Sequence, residues 1–193
     1  MANESPPDKI VKPVEDPQFW NERLYRTLAT GGMLHEIIYQ ESWDIWARTQ
    51  TGTSIVLHRL IPKGSKVLDA GCGYGALVDA FDECRLRVQY TGVDVSPDLI
   101  RLATERYQKA ATSDGKPRFP GVQFLVGNLR SLPFESEEFD WAVMRSMRRM
   151  VEDNCGRESW QAVLAEVQRV ARRVLLIEYL TPTCSEVAYE TCP

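Results

Sequence analysis

The chain lacks much of what several functional classes require. Its five cysteines, Cys72, Cys84, Cys155, Cys184 and Cys192, are an odd number with no C-x-x-C spacing. That spells out neither a zinc site nor a disulfide framework, and reduced thiols in a cytoplasmic setting are the expectation. Only two histidines are present, His35 and His58, and no metal-binding pattern accompanies them. No apolar run approaches a membrane span, and the opening MANESPPDK has no apolar stretch of the secretory kind, so no membrane partner is expected. A net charge of −4 argues against nucleic acid as a bulk electrostatic partner. No internal repeat or low-complexity tract appears.

What is there is the make-up of one globular domain. At 193 residues, 44% hydrophobic and 26% charged, the chain is large enough to bury about 70% of its unfolded surface. Residues 1–15 are proline-rich and charged and read as a loose arm. Asp16-Pro17 then starts a helix, with Asp as N-cap and Pro at the first helical position. Trp20, Leu24 and Leu28 share one of its faces, and Gly31-Gly32 breaks it. Further helices are expected at 34–48 and 54–60, before Pro62-Lys63-Gly64 turns the chain. The division expected is therefore an arm at 1–15, a helical region at 16–62 and a core at 63–193.

In that core, apolar runs at 66–70, 89–93, 122–126, 140–144 and 174–177 predict strands, and the stretches 76–83, 97–111 and 157–171 predict helices. Ser96-Pro97-Asp98 is an N-cap entry to the second helix. Strands alternating with helices predict a parallel sheet covered on both faces, an α/β fold. Its ligands sit at the carboxyl ends of strands, where the strand order reverses.

The segment Val67-Leu68-Asp69-Ala70-Gly71-Cys72-Gly73-Tyr74-Gly75 lies at such an end. An apolar run stops at an acid, and three glycines alternate over five positions. A Cβ there would block both a positive-φ turn and close approach of a ligand to backbone. Residues 71–76 also satisfy the G-x-G-x-x-G/A dinucleotide fingerprint, with Asp94 about twenty residues on. Two details weigh against a nicotinamide or flavin site. Asp69, just before the first glycine, would repel a pyrophosphate but suits a cationic amino group, and Gly75 adds a third glycine inside the loop.

The segment resembles the first motif of class I S-adenosylmethionine (SAM)-dependent methyltransferases, V-L-D-x-G-C-G-x-G, at every fixed position. The resemblance covers about residues 64–180 and implies a Rossmann-like doubly wound parallel sheet, SAM as cofactor, and an N-terminal helical lid. It implies cofactor contacts from Asp69, Gly71, Cys72, Gly73 and Gly75, with Cys72 a small filler rather than a nucleophile. In Tyr90-Thr91-Gly92-Val93-Asp94-Val95-Ser96 it assigns Asp94 to the ribose, whose two hydroxyls a carboxylate can accept from, with Val95 alongside. Asn128 stands where family members usually carry an Asp toward the adenine amino group; it keeps the acceptor and loses the charge. Leu129 would offer its backbone amide to the ring, and Arg145 would lie near the methionine end. These motifs define the cofactor and leave the acceptor open.

The reaction implied is a direct displacement onto a small-molecule acceptor, which needs alignment and water exclusion more than a covalent nucleophile. His35, beside Tyr39 and Trp43, is the candidate base, while His58 reads as structural. No D/N-P-P-Y/F stretch is present. Arg145, Arg148 and Arg149, interleaved with Met147 and Met150, suggest an anionic group on the acceptor. One departure stands out. Only residues 178–193 follow the fifth run, without a hairpin signal, and Arg172-Arg173 replaces a Pro-Gly-Gly turn. About five strands are therefore expected, with an open fifth edge suited to a homodimer. A SAM-binding sensor or partner subunit remains the alternative to an enzyme.

Overall fold

A computed structural model describes residues 52–109, 119–179 and 187–192. The arm at 1–15, the helices expected between 16 and 48, and His35 lie outside the described residues.

The apolar runs become strands where the pattern places them: β1 Lys66–Ala70, β2 Gln89–Asp94, β3 Val122–Val126, β4 Trp141–Arg145 and β5 Val174–Tyr179. These five pair in parallel, in the order β3-β2-β1-β4-β5. Adjacent residues of the central strands alternate between two separate cores, as in a sheet covered on both faces. Val67, Val143 and Leu175 join one core, and Leu68, Met144 and Leu176 the other.

Helices supply the covering layers. Residues 52–60 form α1, followed by α2 Leu77–Glu83 and α3 Pro97–Ala103, which runs on into a π-helical turn at Thr104–Gln108. Their Leu57, Leu77, Phe81, Ile100 and Tyr107 pack on the first face. Ser96 begins α3 as the spacing predicts, its hydroxyl accepting from the Leu99 amide at 3.3 Å. On the second face lie α4 Met147–Cys155 and α5 Arg157–Val170, through Val151, Trp160, Val163 and Val167.

Two expectations are corrected. The sheet has six strands rather than about five: β6 Val187–Cys192 pairs antiparallel with β5, from Val174↔Cys192 to Tyr179↔Val187. The edge of β5 is thus occupied, which removes the argument for a homodimer built there. This strand was hidden because it lies at the sheet margin with Tyr189, Glu190 and Thr191 exposed. Its pairing comes from the ladder of β5, not from an apolar run of its own. The second correction is α4, whose start looks in sequence like a short basic cluster. The helix continues to Cys155 because Val151 and Cys155 bury one stripe against the sheet.

The chain passes from β1 outward through β2 to β3, then returns to β4 on the other side of β1. The switch point therefore lies between the carboxyl ends of β1 and β4.

Leu57 is fully buried and ties α1 to the sheet. Leu57→Ala is expected to lower unfolding free energy by about 2–5 kcal/mol, read from urea denaturation. A loss below about 1 kcal/mol would show that α1 is not part of this core.

Candidate cofactor site at the sheet switch point

The turn after β1 is fixed by backbone bonds to β2. The amides of Gly71 and Cys72 both donate to the Val93 carbonyl, at 2.8 and 3.0 Å, and the Gly75 amide donates to the Cys72 carbonyl at 2.9 Å. Gly71, Gly73 and Gly75 all have positive φ. Their surroundings differ, however. A Cβ on Gly73 would meet nothing within 4 Å, so this residue faces open space. A Cβ on Gly75 would stand 2.9 Å from the Phe124 and Tyr107 rings, so this glycine permits close packing of the loop against β3 and the π-helical turn. Gly71 is crowded by the Met147 side chain at the start of α4.

Asp94 ends β2 facing that loop. Its Oδ2 accepts from the Gly73 amide and its Oδ1 from the Ser96 amide, each at 2.9 Å. Burial pushes the carboxyl up, against the pull of the Ser96, Gly73 and Val95 amides. Each oxygen keeps a further lone pair. A carboxylate so held is oriented before any ligand arrives.

Asp69 lies deeper, 3% exposed. The Tyr90 hydroxyl donates to its Oδ2 at 2.6 Å. Tyr90 reaches it because Gln89–Asp94 runs beside β1 with Tyr90 opposite Val67, on the same face as Asp69. Burial pushes the Asp69 carboxyl up to about 6, partly countered by the Tyr90 bond and the Arg145 guanidinium, while Asp94 adds to the rise. The site thus holds a buried carboxylate whose ionised form lacks full compensation.

The other sequence-derived residues are placed as follows. Cys72 is buried, its thiol pushed up by burial and by Asp69 and Asp94, which leaves it poorly suited to nucleophilic work. Val95 is half-buried beside Asp94. Asn128 closes a turn, its Oδ1 accepting from the Arg130 amide at 2.9 Å, which still leaves that oxygen a second lone pair. Leu129 is in the second core. Arg145 ends β4 on the Asp69 side of the sheet, near enough to act on that carboxyl. His58 is exposed on α1.

Three features escaped the sequence reading. Tyr90 locks Asp69, and only the strand register reveals it. Ser146, directly after β4, has φ +56 and a buried Oγ with no hydrogen-bond partner among the described residues. A left-handed non-glycine residue costs about 1–3 kcal/mol and tends to occur at functional sites. Glu178, near the end of β5, accepts from the Arg148 amide at 3.0 Å. No sequence signal marks a left-handed serine, but an acid at the penultimate position of a buried strand is visible in VLLIEY.

A glycine loop and two strand-terminal carboxylates at a topological switch point define a nucleoside-binding protein of the doubly wound α/β class. The residue chemistry fits SAM: two carboxylates offer acceptors of the kind a ribose and an ammonium group take, and the acid beneath the loop opposes a pyrophosphate. Residues 67–173, more than half the chain, match the methyltransferase domain family. The chain belongs to that family, the class I SAM-dependent methyltransferases. Over 129 residues it is 29% identical to the phthiotriol/phenolphthiotriol dimycocerosates methyltransferase of Mycobacterium leprae, covering 67% of this chain and 39% of that one. Over 80 residues it is 36% identical to the erythromycin 3''-O-methyltransferase of Saccharopolyspora erythraea, covering 42% and 24%. The chain thus spans well under half the length of these relatives. A solved SAM-dependent methyltransferase from Methanosarcina mazei superposes with a TM-score of 0.51 at 26% identity, over 64% of this chain and 57% of that one.

The raised Asp69 carboxyl generates a prediction. Its folded value of about 6 lies above the ordinary 3.8, so the folded state holds this proton more tightly. The associated stability is present below about pH 4 and is lost as pH rises through about 6, by about 3 kcal/mol at 1.4 kcal/mol per unit. Asp69→Asn, without ligand, is expected to gain stability relative to the native chain as pH is raised from 4 to 7. Parallel denaturation profiles across that range would contradict it.

Proposed function

We propose that this chain binds SAM at the switch point and that its methyl group is passed to a small-molecule acceptor by direct displacement. The observation that carries this reading is the Asp94 carboxylate, held by the Gly73 and Ser96 amides at the carboxyl end of β2, beside a Gly73 whose side-chain position is open space. Asp94 would accept from the ribose hydroxyls and Asp69 from the amino group of the methionine moiety. Gly73 would let the ligand approach backbone, while Gly71, against which Met147 packs, would serve the turn; Val95, Asn128 and Leu129 would flank the adenine, and Arg145 would sit near the methionine end. Bound there, SAM supplies an electrophilic methyl group on a sulfonium centre. The protein's own work is then to orient the ligand, exclude water and receive the acceptor's proton.

The lid expected over 16–62 is narrowed to the part before α1, since Val56, Leu57 and Ile61 belong to the sheet core; His35 would be the candidate base within that lid. Both relatives named above are methyltransferases of small molecules by their names, which supports the same acceptor class here. The basic cluster supports an anionic acceptor less than the sequence suggested, because Arg148 is paired with Glu152 at 3.3 Å and Glu178 adjoins it. No helix among the described residues is long and apolar enough to cross a membrane, and the four cysteines among them, Cys72, Cys84, Cys155 and Cys192, are free thiols. A cytoplasmic setting accords with that.

Hydrogen bonds to charged groups contribute about 1.5–3 kcal/mol each, and about 1.4 kcal/mol is tenfold in affinity. Asp94→Ala is therefore expected to weaken SAM binding at least about tenfold by calorimetry. Unchanged affinity, or tighter binding of NAD than of SAM, would overturn the assignment. Methyl transfer from labelled SAM in a cell extract then separates an enzyme from a sensor or partner subunit that binds without transferring.

A further inference from the structure

The carboxyl ends of β4 and β5 carry two polar groups that the cofactor contacts leave unused. Arg145 pairs with Ile177 across these strands, and the Ser146 amide donates to the Ile177 carbonyl at 2.8 Å. The ladder thereby sets Ser146 beside Glu178. The Ser146 backbone is held in the left-handed region, and its Oγ is buried without a partner among the described residues. A buried hydroxyl left unsatisfied calls for an explanation, and a missing ligand is one. Glu178 uses Oε1 to accept from the Arg148 amide. That bond leaves its Oε2 as the second acceptor of the carboxylate. The next residue after Ser146 is Met147, whose side chain lies against Gly71, so this pair adjoins the glycine loop.

The surrounding charge restricts what can bind. Arg145 acts on Asp69, Arg148 pairs with Glu152, and Arg148 and Arg149 both act on Glu178. Three arginines therefore face three carboxylates, and among the described residues the region carries no surplus cation to recruit an anion. A carboxylate ligand would accept from Ser146 but be repelled by Glu178. An ammonium group would donate to Glu178 but give the serine proton no acceptor. A neutral amine could do both, but the Glu178 carboxylate favours its protonated form, whereas a hydroxyl both donates and accepts while neutral and so satisfies the two together.

Resting on the SAM-dependent reading above, we infer that Ser146 Oγ and Glu178 Oε2 form the subsite for an acceptor hydroxyl, so that the acceptor is an alcohol or phenol and the product a methyl ether. Ser146 donates to the acceptor oxygen, and the hydroxyl proton passes to Glu178 Oε2. The oxygen forms the new bond to the methyl carbon as the carbon–sulfur bond breaks, its electron pair remaining on sulfur as the neutral thioether.

The test uses the full chain with methyl-labelled SAM in a cell extract, followed by mild base treatment of the labelled product. A base-stable methyl ether is expected. With its parent alcohol as substrate, Ser146→Ala and Glu178→Gln should each lower kcat/KM at least about tenfold. SAM affinity and thermal midpoint should stay close to native, since Gln keeps the oxygen that accepts from Arg148. Calorimetric binding of that alcohol without SAM should weaken in both variants. A product that releases labelled methanol in base, or an N-methylamine, overturns this inference while leaving methyl transfer intact. So does an ether whose formation and alcohol binding both variants leave unchanged. No labelled product at all overturns the methyl-transfer reading and this one with it.

Discussion

The bidentate hold of Asp94 on the Gly73 and Ser96 amides is the interaction on which the site depends. It joins the loop after β1 to the short Asp94-Val95-Ser96 link between β2 and α3, about twenty residues further along the chain. The parallel register places Ala70 opposite Val93, so the two strands end together and the loop folds back over Asp94. Charge-assisted bonds of this kind are among the stronger ones a protein makes. Here they fix loop geometry while leaving lone pairs for a ligand. Binding then need not order the loop first, which is the main advantage of a preformed site.

Beneath that frame lies a tension. Asp69 is buried, faces the Asp94 charge, and is relieved only in part by Tyr90 and Arg145. A structure built for stability alone would put an apolar residue there, because burying a partly compensated carboxylate is costly. The arrangement makes sense if a cation completes it. The ammonium group of a methionine moiety has the right sign, and under the proposed binding mode it would restore stability lost in the free protein. The strained Ser146 and its orphan hydroxyl belong to the same pattern of local cost at the ligand-facing end of the sheet.

Most of the frame was legible because buried parallel strands are continuous apolar runs and glycine loops have few substitutes. Five strands, the Ser96 cap and the paired acids Asp69 and Asp94 follow from that. The sixth strand was not legible: its order comes from the free ladder of β5, a property of the neighbour. Nor was α4, where MRRM reads as basic surface until Val151 and Cys155 are seen to be buried. Tyr90 was quoted in its motif without a role, since its bond to Asp69 requires knowing the register. Gly75 shows the opposite limit. The motif groups it with the ligand glycines, yet the rings of Phe124 and Tyr107 explain its lack of a side chain by packing.

The claim on which all of this turns is that Asp94 is oriented in advance for a nucleoside sugar. A crystal structure with S-adenosylhomocysteine bound tests it most directly. The account predicts both ribose hydroxyls within hydrogen-bonding distance of the Asp94 carboxylate, with the Gly73 and Ser96 contacts unchanged from those seen here. A ligand seated away from β2, or a loop that must release Asp94 before the ribose can enter, would contradict it.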